Sequence, residues 1–205
     1  MKPNAFEKSI PDGYTLDLHI DATDKKFGLV MNAVSLGVIA IVMAVTVLLM
    51  QIGGGINISF DTGEILFGYL LFIGGMIAYI ILHELTHGIA YKLLTKERLT
   101  FGIKWSCAFC GVPSIYVSRR AALIAVAAPL VVFTLLLTPL TVFLYRINHL
   151  YCLICAFILG MHLGGCSGDG YVIYLFLTKY RDRYTLMRDT GPEQFFYIKG
   201  EGDDR

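Results

Sequence analysis

His83-Glu84-Leu85-Thr86-His87, followed at once by Gly88, lies inside an apolar run from about Leu66 to Leu94. On a helix, residues four apart fall one above the other on the same face. Two imidazoles so placed reach one tetrahedral Zn2+, while Glu84 stands beside the metal-bound water as a general base. The alternative is a chance match on a buried helix. Against it stands the cost of an ionisable group at membrane depth, at least ~2.5 kcal/mol, which persists mainly where the group is partnered and functional. The stretch therefore sets two expectations at once, a helix within a membrane and a metal site within that helix.

Composition points the same way. The chain has 205 residues, 56% of them hydrophobic and only 16% charged, with a mean hydropathy of +0.63. A soluble domain carries about a quarter charged residues, so the deficit predicts an all-α, multi-pass protein of the cell membrane, surrounded by lipid bilayer. A net charge of +1 gives no reason to expect a nucleic acid partner. The five cysteines are odd in number and lack a secreted disulfide framework, which suits a reduced or lipid-buried setting. No cleavable signal peptide is visible. The first apolar run begins near Gly28, is too long for a signal core and lacks a small-residue cleavage site.

Four spans are expected, at about 28–52, 66–94, 121–145 and 150–177, making a membrane domain over 28–178 between an N-terminal arm (1–27) and a tail (179–205). Short β elements flank them. Tyr14 to Asp21 alternates polar and apolar, which puts Leu16, Leu18 and Ile20 on one face of a strand, with His19 solvated on the other. Strand-like stretches recur at 99–105, 113–117 and 194–198. Gly74, Gly75 and Gly88 suit close helix approach. Asp61 and Glu64 read as exposed loop residues, and Pro129 and Pro139 predict a kink in the third span. Gly164 to Gly170 interrupts the fourth, as a broken helix that lines a cavity or is buried in protein. Cys107-x-x-Cys110 and Cys152-x-x-Cys155 are expected across the membrane from one another, so they share no zinc and read as ordinary cysteines.

Lys and Arg gather in the arm, in residues 92–120 and in the tail, which predicts cytoplasmic termini. Depth then follows from the helical rise. His87 lies about 13 Å from the cytoplasmic edge at Lys96, His83 about 20 Å, and Asp169 about 15 Å from Lys179. The carboxylate and the two imidazoles share a level, so His83, His87 and Asp169 are the expected zinc ligands. His162 is the rival third ligand. It falls about two turns deeper and suits a supporting hydrogen bond instead.

With these residues in view, the chain resembles the site-2 protease class of intramembrane zinc metallopeptidases. Those enzymes carry His-Glu-x-x-His in one membrane helix (here His83, Glu84 and His87) and supply an aspartate from a later one (here Asp169-Gly170). It is more similar still to a little-characterised family of small bacterial membrane zincin peptidases. These have a His-Glu-Leu-x-His-Gly helix, an Ala-Pro in the next span (Ala128-Pro129) and a late Ser-Gly-Asp (Ser167-Gly168-Asp169). No PDZ-like insertion and no clear Asn-Pro motif before the aspartate are present. The resemblance implies a zinc metalloprotease with Glu84 catalytic, and the depth of the expected metal below the cytoplasmic surface points to a membrane-embedded or membrane-proximal peptide substrate. The contrasting reading is a non-enzymatic metal-binding membrane protein, a carrier or an accessory subunit. Four spans without an inverted repeat suit that poorly.

Overall fold

Two short strands, β1 (Phe6–Glu7) and β2 (Tyr14–Asp21), precede the helix α1 (Lys25–Ile52) in a computed structural model that describes residues 4–56, 59–104 and 107–200. Then come α2 (Thr62–Thr95), β3 (Thr100–Ile103), β4 (Ala108–Gly111), β5 (Tyr116–Ser118), α3 (Arg119–Tyr145), α4 (His149–Gly165), α5 (Ser167–Thr178), β6 (Leu186–Asp189) and β7 (Glu193–Lys199). The helices α1, α2 and α3 are long and apolar enough to cross a membrane, and α4 with α5 makes a fourth if the interrupted pair counts as one span. Trp105, at the end of one expected strand, and tail residues 201–205 lie outside the described residues.

The helices start where side chains can accept the orphan amide protons of a first turn. Asp24 accepts from Phe27 N at 2.9 Å ahead of α1, and Asn148 accepts from Leu150 N at 2.9 Å ahead of α4. At α2, Glu64 N donates to Asp61 Oδ1 at 2.8 Å and Asp61 N donates back to Glu64 Oε2 at 3.0 Å. Asp61 and Glu64 are thus a reciprocal capping box rather than idle loop residues. Large apolar side chains, among them Leu36, Ile41 and Leu48 of α1 and Leu66, Ile77 and Ile81 of α2, remain exposed. Helices apolar around most of their circumference, with that surface left bare, are consistent with a multi-pass membrane protein.

The chain divides into two units. The first takes Met1–Leu29, Glu84–Ala128 and Gly168–Arg205. Its centre is a five-stranded sheet in the order β1-β5-β6-β7-β2, with antiparallel pairings throughout. Val117, Met187 and Phe196 of the sheet are fully buried against Tyr91 of α2, Ala122 and Ala125 of α3 and Phe176 of α5. The chain is therefore mostly helical with antiparallel sheets, not all-α. Segments from the arm, the middle and the tail, each too short to hold a sheet alone, complete one another's ladders. In β2 the register shifts between Leu16 and Leu18. That irregularity turns Leu16 outward, at 53% exposure, while Ile20 stays buried, so the expected common face of Leu16, Leu18 and Ile20 is broken at its first residue. His19 is exposed but stacks on Phe195, with its Nε2 2.9 Å from Glu193 Oε2.

The second unit takes Val30–His83 and Pro129–Ser167. Its helices meet at small residues, as membrane helices do. A Cβ on Gly160 would lie 3.2 Å from Ile39 Cα, and one on Gly164 would lie 2.6 Å from Ser35 Oγ. A Cβ on Gly75 would meet Ile158 at 2.8 Å, whereas Gly74 has nothing within 4 Å. Gly164 therefore serves a helix contact inside α4, and the interruption of the fourth span is confined to Cys166, which caps α4 before α5 begins at Ser167.

Candidate metal centre

In the first unit, the last part of α2 carries Glu84, His87 and Tyr91 on an unbroken helix. His87 is buried, with Nε2 3.4 Å from Asp169 Oδ2 and Nδ1 2.9 Å from the carbonyl oxygen of Ala125. A carbonyl only accepts, so Nδ1 of His87 carries the proton and donates it. Nε2 is the nitrogen that faces Asp169. Asp169 lies in the first turn of α5, where the helix dipole favours a negative charge. The far end of α5 is held by Arg119, whose guanidinium donates to Phe176 O and to Tyr180 O, each at 2.8 Å. Phe176 O is one of the carbonyls a helix C-terminus leaves without a partner, and Tyr180 O lies just beyond the helix.

Glu84 is part-buried and three residues before His87, hence beside it on the helix surface. Its charge is felt on β4. Burial pushes the Cys110 thiol up to about 12, and the negative charges of Asp189 and then Glu84 add to the effect. Cys110 is therefore an un-ionised thiol at neutral pH, and it is not part of a disulfide. Behind His87, Tyr91 donates to Asp189 Oδ2 at 2.6 Å, and Gly191 N donates to Asp189 Oδ1 at 2.9 Å. Gly191 has a positive φ of 101°, and a Cβ there would strike the Phe109 ring, so the β6–β7 turn that presents this amide requires glycine.

In the second unit, His83 is buried and belongs to a run of side-chain contacts. The Tyr79 hydroxyl lies 3.0 Å from His83 Nδ1 and 3.2 Å from His162 Nδ1, and His162 Nε2 lies 3.1 Å from Thr134 Oγ1. A hydroxyl has one proton to give. With His83 Nδ1–H donating to Tyr79, the hydroxyl donates to His162 Nδ1, and His162 Nε2–H donates to Thr134. Each ring nitrogen and hydroxyl named in that run then has a partner. His162 is fully buried with both nitrogens partnered. Cys166 Sγ lies 3.6 Å from His162 Nδ1, and donor atoms of His83, His162 and Cys166 come within 4.8 Å of one another.

His83 and His87 are one helical turn apart on α2, and each has its Nδ1 taken by a protein partner. Tyr79, Thr134 and the Tyr91–Asp189 pair are additions that sequence reasoning missed. A signal was available, since Tyr79 and Tyr91 extend the four-residue spacing of the histidines along α2 in both directions. Of the cysteines, Cys107, Cys110, Cys152 and Cys155 join no cluster of potential metal donors among the described residues.

His83 and His87 lie four residues apart on α2 with Glu84 between them, and within the first unit Asp169 of α5 approaches His87. Residues 76–184, more than half of the chain, match the family described as "Putative zincin peptidase", and the chain belongs to that family. No curated protein and no solved structure matches it.

Proposed function

We propose that the protein is a zinc metallopeptidase of the membrane, acting on membrane-embedded or membrane-proximal peptides. His83, His87 and Asp169 hold Zn2+, and Glu84 is the general base. The observation that carries this reading is the 3.4 Å approach of Asp169 Oδ2 to His87 Nε2, with Nδ1 of the same ring secured by Ala125. Two nitrogens and one carboxylate oxygen are a donor set suited to Zn2+ and typical of catalytic sites. When bound, zinc supplies Lewis acidity and makes water easier to deprotonate. The residues of the chain do the rest. Glu84 takes a proton from the attacking water and returns it to the leaving amine. Ala125 O and Tyr79 hold the two imidazoles by their Nδ1 atoms, and the first turn of α5 carries Asp169.

The distribution of Lys and Arg supports cytoplasmic termini, with the sheet on the cytoplasmic side. One observation favours a non-enzymatic metal-binding role instead, namely the buried His83, His162 and Cys166 trio, which contains no carboxylate. Incubating the purified full chain with single-span peptides separates the two. Cleavage that stops with chelator and returns with added zinc is the expected result. Absence of cleavage by zinc-loaded protein across such peptides overturns the enzymatic reading.

A further inference from the structure

Pro129 belongs to α3, which runs unbroken from Arg119 to Tyr145. In an α-helix the amide of residue 129 would donate to the carbonyl of residue 125, four positions earlier. Proline has no N–H, so that bond cannot form and the Ala125 carbonyl lacks its helical donor. A buried carbonyl left without a donor is costly, and membrane proteins re-satisfy such groups from neighbouring helices. Ala125 is fully buried, and its oxygen is met at 2.9 Å by Nδ1 of His87 on α2.

We infer that Pro129 is a positioning residue for the metal centre, which keeps the Ala125 carbonyl open so that it fixes the ring and tautomer of His87. Pro129 acts through a bond it does not make. An ordinary residue at 129 supplies an amide that competes with His87 for the same oxygen, and the imidazole is then free to rotate or to exchange its proton between the two nitrogens. The inference rests on His87 being a zinc ligand only for its effect on metal binding. Its effect on the ring is separate.

The test compares wild type, Pro129→Ala and a chain carrying lactic acid at position 129, an alanine analogue whose ester has no N–H. A purely structural proline, one that merely kinks α3, predicts that Pro129→Ala leaves zinc affinity alone. Positioning predicts that Pro129→Ala is at least as resistant to thermal unfolding as wild type. It also predicts a zinc affinity, measured by chelator competition, lower by about 10–100-fold, the usual effect of losing a ligand's outer hydrogen bond. The lactic acid chain should return to within a few-fold of wild type. In nitrogen-15 spectra of metal-free protein labelled at histidine, the His87 Nδ1–H signal of Pro129→Ala should shift and exchange faster with water. An unchanged His87 signal with unchanged affinity in Pro129→Ala overturns the inference and leaves the proposed function intact. A changed His87 signal in a protein whose wild type binds no zinc upholds the inference and defeats the proposed function.

Discussion

Asp169 Oδ2 and His87 Nε2 approach to 3.4 Å, one from the first turn of α5 and the other from α2. If both are ligands, Asp169→Ala should weaken zinc binding by more than the about 10–100-fold that loss of an outer partner costs. His162→Ala should keep one zinc per chain at saturating metal. Chelator competition together with metal analysis of the purified variants checks both. The reverse pattern would make His162 the ligand.

The Tyr79 hydroxyl touches both His83 and His162. Tyr79→Phe keeps the ring that packs against Phe133, with centroids 5.5 Å apart, and removes only the bridge. Zinc affinity should fall by about 10-fold or somewhat more, with little change in helix content by circular dichroism. An affinity equal to wild type would show that the tautomer of His83 does not depend on this bridge.

The spans and the histidine pair were legible because hydropathy and a four-residue spacing are local signals. The sheet was not. Its β1, β5 and β6 are two to four residues long, and β1 with β5 and β5 with β6 pair only across long stretches of chain, so neither periodicity nor length marks them. Leu186 to Asp189 reads as charged tail, yet Asp189 is buried against Tyr91 because the sheet folds it there. The shift in β2 depends on the β7 ladder, and no pattern within Tyr14 to Asp21 announces it. Asp169 stands out in the sequence as a carboxylate in a glycine-rich break within an apolar span. The supports of the two histidines were missed because Tyr79 and Ala125 read as apolar helix.

Asp189 gives a pH prediction. Burial raises its carboxyl from the ordinary 3.8 to about 6, against the lowering effects of its bonds to Tyr91 and Gly191. Between those values the unfolded chain has released the proton and the folded chain has kept it. Stability from this group is therefore complete below about pH 4, falls as pH rises, and levels off above about pH 6, by on the order of 3 kcal/mol in all. Asp189→Asn, which does not titrate, should lack that slope when unfolding free energies are compared from pH 4 to 7. Tyr91→Phe removes a bond that lowers the value and should move the fall to higher pH. Matching slopes in wild type and Asp189→Asn would contradict the assignment.

Topology is open to a direct check. Reporter fusions should place both termini and residues 95–120 in the cytoplasm and residues 53–65 on the other side. A cytoplasmic signal from 53–65 would remove the basis of the depth argument.

The central claim is that Glu84 acts as a base beside a metal it does not hold, and Glu84→Gln tests it most directly. Glutamine keeps the size and hydrogen-bonding capacity of the side chain and loses the proton acceptor. Peptide cleavage by the purified variant should fall by about 10²–10⁴-fold, the usual cost of losing acid–base catalysis, with one zinc still bound per chain because His83, His87 and Asp169 are untouched. Near-normal cleavage with zinc in place, or loss of the zinc along with the activity, would contradict the account.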